Sequence, residues 1–179
     1  MILALFECPD GAAALPGNRA VYDLERNEAH FGEVGVDGPA VVWLLAESEG
    51  DGAALVAEVG LDASVEWMMR CDRIDFRTGG VAHRHTHPGP GIRRLLFGSI
   101  RIDTKGTSHL YGPGGAWFET GPDPVYAAAS ATEESAFVRV LLLPRTWLGK
   151  RTISYVDPTD NAKPKGQRPT VFFDRPITL

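Results

Sequence analysis

From residue 65 onward, glycine and proline interrupt the chain about every ten residues, and the segments between them are short, apolar and rich in β-branched and aromatic residues. Val65–Phe76 ends at Gly79-Gly80, His83–His87 at Pro88-Gly89-Pro90-Gly91, and Phe137–Leu143 at Pro144. Ile92–Phe97 and Ser99–Asp103 flank Gly98, which reads as a hairpin turn. His109–Tyr111, Ala116–Glu119 and Val125–Ala129 follow with the same spacing. Strands of this length, punctuated this often, predict an all-β sandwich or closed barrel. Glycine and proline together make about 18% of the 179 residues, which favours many turns over a helical bundle. Residues 1–64 are less legible. Val41–Ala46 reads as a buried strand, and Ala53–Val59 fits a strand or a short helix equally well. Thr152–Val156 and Val171–Phe173 are candidate strands of a C-terminal extension, able to extend a sheet within the chain or across a homodimer.

The charge of −5 disfavours nucleic acid, which needs concentrated basic surface to replace counterions. It is unevenly spread: seven basic and three acidic residues give 145–179 a charge of +4, leaving −9 for the first 144. Such a tail docks on its own acidic barrel or a partner subunit, or binds an anion. Cys8 and Cys71 have no metal-type spacing and read as buried free thiols, consistent with a reducing compartment. Met1–Phe6 is apolar but too short for a signal peptide or a membrane span, so the expected location is cytoplasmic and no membrane partner is expected.

Three of the five histidines, His83, His85 and His87, fall within five residues. On a regular strand, side chains two apart share a face about 7 Å from one another, so all three imidazoles are expected to point the same way. Imidazoles so placed suit a divalent ion such as zinc, iron, nickel or manganese, or the polar wall of a metal-free pocket.

The pattern Gly79-x5-His85-x-His87-x3-Gly91-x6-Gly98 resembles the first motif of the cupin family, and Gly112-Pro-Gly-Gly-Ala-Trp-Phe-Glu119 is similar to the start of the second. The resemblance covers roughly residues 65–145. It implies a double-stranded β-helix, that is a cupin or jelly-roll barrel, often dimeric, with residues 1–64 as strands packing on the barrel and 146–179 as a C-terminal extension of the same domain. It also implies a metal held by two histidines and a glutamate of the first motif and a histidine of the second. Gly91 and Val125 stand where that glutamate and last histidine belong, and neither can coordinate through its side chain. The substitutes in reach are His83 and Glu119, with His109 weaker. The candidate metal set is therefore His83, His85, His87 and Glu119.

Arg93 and Arg139 alternate inward if their strands are regular, and a buried arginine needs an acidic partner. They are candidate binders of an acidic ligand, with pairing to Glu119, Asp103 or Asp75 as the alternative. Glu119 is the candidate acid–base residue. Trp117, Phe118, Tyr126 and Phe97 read as barrel core, with Trp117 as a stacking wall for a flat ligand in the sharper alternative. Gly149-Lys150-Arg151-Thr152 lacks the first glycine of a phosphate loop, and there is no Gly-x-Ser-x-Gly elbow or dinucleotide fingerprint. The expected function is binding of a small polar or acidic molecule, either as a metal-dependent oxygenase, isomerase or decarboxylase or as a metal-free binding or sensor protein.

Overall fold

The computed structural model describes residues 1–48 and 50–179. Among them, strands predominate, two short 3-10 turns are the only helical segments, and no helix is long and apolar enough to cross a membrane. The chain divides into two compact units: residues 1–71, 140–148 and 171–179, and residues 72–139 and 149–170.

The first unit contains β1 (Ile2–Cys8), β2 (Gly11–Ala12), β3 (Asn18–Asp23), β4 (Glu28–Phe31), β5 (Val36–Asp37), β6 (Ala40–Ala46) and β7 (Leu55–Glu58). Five of these form an antiparallel sheet in the order β4-β3-β6-β1-β7, while β2 pairs with β5. The apolar run at Val41–Ala46 becomes the central strand, where both faces must be covered and near-continuous hydrophobicity is required. On one face Val21, Ala40 and Val42 join Ala12 and Val36. On the other, Tyr22 meets Phe172 edge to face at 5.7 Å. The ambiguous segment at 53–59 resolves as strand β7.

The remaining strands are β8 (Trp67–Phe76), β9 (Val81–Thr86), β10 (Gly91–Phe97), β11 (Ile100–Thr104), β12 (Thr107–Tyr111), β13 (Ala116–Glu119), β14 (Val125–Ala129), β15 (Ser135–Pro144), β16 (Ser154–Tyr155) and β17 (Gln167–Pro176). They form two sheets, β13-β10-β15-β8-β17 and β12-β11-β14-β9-β16. From β8 to β15 the chain alternates between these sheets, with only the β11–β12 hairpin staying in one. That is the strand order of a jelly roll, the double-stranded β-helix of cupin barrels.

In the second unit the two sheets share one apolar core. Ile74, Phe76, Leu95, Trp117 and Phe137 come from one sheet, and Ala82, Ile100, Ile102, Val125 and Ala127 from the other. Two expectations are corrected here. Gly98 does not close a hairpin, because β10 and β11 lie in different sheets; it turns the chain from one to the other. Phe97 is not core: it is 40% exposed, and the Arg73 guanidinium lies over its ring. It is in phase with Leu95, but as the last residue of β10 it lies at the strand's end, outside the apolar core. Cys71 is buried, Cys8 is half-buried, and both are free thiols.

Gly98 has φ of 74°, and a Cβ there would lie 2.3 Å from the Glu134 carbonyl oxygen. Gly98→Ala combines a left-handed backbone with a backbone clash and is expected to cost roughly 3 kcal/mol, read as a lower denaturant midpoint. A midpoint within error of wild type contradicts this account of the turn.

Candidate functional site

The site lies in the second unit, built on the pleat of four adjacent strands. Period-two alternation puts Asp72 on the face of Ile74 and Phe76, Arg93 on that of Leu95, Glu119 on that of Trp117, and Arg139 on that of Phe137. In sheet order the charged residues run Glu119, Arg93, Arg139, Asp72, one pleat step from the apolar core. All four are at most 7% exposed.

Burial of four charges is tolerable only if each is answered. Arg139 binds Asp72 through two bonds, Nε to Oδ1 at 2.6 Å and Nη2 to Oδ2 at 3.0 Å. Arg93 Nη2 stands 2.6 Å from Glu119 Oε2, and its Nη1 donates to the Gly91 carbonyl at 2.6 Å. The Arg93–Glu119 contact is an ion pair without hydrogen-bond alignment. Trp117 Nε1 donates to the other glutamate oxygen at 2.8 Å. The register pairs Glu119 directly with Gly91, so this carboxylate is delivered from the neighbouring strand beside the position that lacks one. Burial pulls Arg93 down to about 10, Glu119 opposing the shift, and it stays cationic at neutral pH.

Above this row are two imidazoles. His87 Nδ1 lies 2.8 Å from the Thr152 carbonyl and Nε2 lies 3.3 Å from Arg139 Nη1. A guanidinium only donates, so Nε2 accepts and the proton resides on Nδ1. His85 Nδ1 lies 2.7 Å from the His83 carbonyl and must donate to it. His85 Nε2 is then an unprotonated acceptor with no hydrogen-bond partner among the described residues. The rings meet edge to face at 4.9 Å. Burial depresses both histidines, His87 strongly, with Arg139 and Arg93 adding to the effect there.

His83 does not join them. Ala127 pairs with Ala82 and Val125 with His85, so two residues of β14 face three of β9. The extra residue is a β-bulge, which resets the alternation. Ala82 and His85 both face inward, and His83 contributes its backbone carbonyl rather than its ring. The expectation that three imidazoles share one face is corrected to two. His109 is exposed on β12. Trp117 is core: it stacks on Tyr111 at 4.8 Å and meets Phe137 edge to face at 5.3 Å, leaving no open face of the kind a flat ligand needs. Val125 is buried opposite His85.

The donors present do not fit a divalent ion. His87 Nε2 accepts from Arg139, Glu119 accepts from Trp117 and faces Arg93 although its Oε2 has no aligned hydrogen bond, and His85 Nε2 has no hydrogen-bond partner among the described residues. Among the described residues no three His, Cys, Asp or Glu side chains group as a metal centre requires. Asp72 was missed in favour of Asp75 and Asp103, which pair with Arg73 and Arg101 respectively. Its signal was its position: an acid in phase with Ile74 and Phe76 on a buried face calls for a cation.

No family model matches the chain, and the search of curated proteins found no match. Similar solved structures include an oxalate oxidase in complex with glycolate, at 18% identity and a TM-score of 0.42 over 49% of this chain and 46% of that one. The match thus spans less than half of that oxidase chain. Another is the polyketide cyclase RemF from Streptomyces resistomycificus, at 19% identity and a TM-score of 0.41 over 53% of this chain and 70% of that one. A third is a cupin-like protein from Thermotoga maritima, at 14% identity and a TM-score of 0.38 over 58% and 94%. These are likenesses of fold.

Both inward histidines are held neutral, so the unfolded chain takes up protons below their ordinary value of 6.5 before the folded one does. Stability is then fully present above pH 6.5 and lost as pH falls below it, by up to about 1.4 kcal/mol per pH unit for each histidine. The denaturant midpoint should be flat from pH 8 to 6.5, fall towards pH 5, and fall less in His87→Gln. A midpoint unchanged between pH 7 and 5 would contradict the neutral assignment.

Proposed function

We propose that this cupin-type jelly roll binds a small, neutral polar molecule without a metal, and that the molecule donates a hydroxyl or N–H hydrogen bond to His85 Nε2. The observation that carries the reading is the open lone pair on His85, left by a ring whose other nitrogen is committed to the His83 carbonyl. An orientated neutral acceptor in a largely buried setting discriminates well, because a molecule lacking the matching donor leaves the imidazole unanswered.

An acidic ligand has less support. Arg93 and Arg139 each already face a carboxylate, so an anion would have to displace Glu119 or Asp72. Their charges cancel in pairs, and an unpaired negative charge entering there would lose its hydration for little return. Binding is also favoured over turnover. His85 can accept a proton, but His87 and both carboxylates are engaged in the network.

Protein purified without a metal-affinity tag should contain well under one equivalent of iron, nickel, zinc or manganese. A thermal-shift screen of small alcohols, amides and heterocycles should give molecules that raise the melting temperature by binding the native state. His85→Phe should weaken such a hit roughly tenfold or more, as expected for the loss of a partly buried hydrogen bond. Affinity should hold between pH 8 and 6.5, where His85 stays unprotonated. Hits whose dissociation constants are the same in wild type and His85→Phe would overturn the role given to this histidine.

A further inference from the structure

Four adjacent strands of one sheet end together at a groove that shares no residue with the histidine cluster. In the order β10-β15-β8-β17, Phe97 closes β10, Glu134 immediately precedes β15, Asp75 and Arg77 stand at the end of β8, and Lys165 and Arg168 flank the start of β17. These six residues line a cavity of about 300 Å³ within the second unit. That is the lower end of the range for small-molecule sites, roughly 300–1,000 Å³. The strand order also gives the groove a direction, with an aromatic ring at one end and cations at the other.

The charges here are unevenly answered. Asp75 is already taken by Arg73, whose Nη2 and Nε donate to it at 2.7 and 3.0 Å. The same guanidinium lies over the Phe97 ring, and Phe97 is still 40% exposed. Lys165 donates to the Asp160 and Asn161 carbonyls at 2.9 Å each and lies over the Tyr155 ring, so neutral groups hold it without cancelling its charge. Arg77 and Arg168 form no ion pair among the described residues. With Arg73 counted, four cations and two carboxylates leave +2 at the groove, in a chain whose net charge is −5.

We propose that this groove is a second binding site, for a small aromatic oxyanion: a carboxylate or phosphate monoester whose ring lies against Phe97 and whose charge is met by Arg77 and Arg168. A guanidinium fork matches the paired oxygens of either group, and Lys165 adds its field. Arg77 stands two strands from Phe97, about 10 Å at the usual strand spacing, a gap that an arginine side chain and a single-ring anion bridge together. The two sites then divide ligands by charge. The histidine cluster is internally neutral, whereas this groove keeps an excess of positive charge for an anion to answer.

Phenyl phosphate and benzoate are titrated into the full chain at low salt and followed by NMR chemical shifts, with inorganic phosphate and benzyl alcohol as charge-only and ring-only controls. At least one aryl anion should bind one-to-one and about fivefold or more tighter than either control. Arg77→Gln combined with Arg168→Gln should weaken it about tenfold or more, and Phe97→Ala should reduce it to the level of the charge-only control. Glu134→Gln removes a like charge from an exposed position and should tighten binding about twofold, which keeps the proposal testable should the double arginine variant fail to fold. His85→Phe should leave aryl-anion binding unchanged. Absence of binding by both aryl anions, indifference to the arginine and Glu134 substitutions, or equal affinity for phenyl phosphate and inorganic phosphate overturns the proposal and leaves the reading of His85 standing. Aryl-anion binding lost in His85→Phe but kept in the arginine variant overturns both.

Discussion

Four buried charges on adjacent strands, in the order carboxylate, guanidinium, guanidinium, carboxylate, determine how the interior of the second unit is used. Neither arginine could remain there alone, because desolvating an unpaired guanidinium costs several kcal/mol. The sheet resolves this by placing each carboxylate outside its arginine, so that the two like charges lie in the middle and each has an opposite charge at hand. The core residues one pleat step away supply the low dielectric that makes the pairing matter. The imidazole states follow. Arg139 donates to His87 and fixes its tautomer, and the two cations together oppose its protonation.

A single extra residue in β9 has a comparable reach. Without the bulge, an inward Ala82 would bring Arg84 and Thr86 inward with it and send the histidines to the other face. With it, Ala82 fills the apolar core and His85 and His87 both point to the polar layer, at the cost of the third imidazole. The same irregularity brings the His83 carbonyl to 2.7 Å from the His85 ring nitrogen. A local defect in the ladder thus selects which histidines enter and fixes the orientation of one of them, a use that bulges near sites often serve.

The strand pattern was legible from residue 65 onward because turn residues and alternating burial are local signals. Ala116–Glu119 and Val125–Ala129 coincide with β13 and β14, and the inward phase of Arg93 and Arg139 follows from simple alternation. What was not legible depends on relations between strands. Nothing near Gly98 says that its flanking strands belong to different sheets, since a turn within a sheet and one between sheets use the same residue. Nothing in the spacing of His83, His85 and His87 reveals a bulge, because the extra residue is defined only against β14. Glu119 was legible as a nearby acid, but its place beside Gly91 is a matter of register. The N-terminal strands β1 to β4 were missed for another reason. β1 is a short, nearly continuous apolar run, β2 has two residues, and β3 and β4 mix Asn18, Arg19, Asp23, Glu28 and His30 among their apolar residues, so none carries a period to read.

The balance of charge in this cluster has a consequence for selectivity. A site that carries net charge attracts opposite charge before it reads shape, whereas a neutral, internally paired cluster gives a charged ligand of either sign little compensation for lost hydration. On the proposed reading, recognition then falls to directed groups. Here the Asp72, Arg139 and His87 chain is closed at both ends, by bidentate pairing and by the Thr152 carbonyl, while the His83 and His85 chain ends in an open lone pair. The closed chain gives rigidity and neutrality, and the open one gives direction. Two histidines two residues apart in sequence therefore do different work, and what separates them is which of their ring nitrogens the protein has left unanswered.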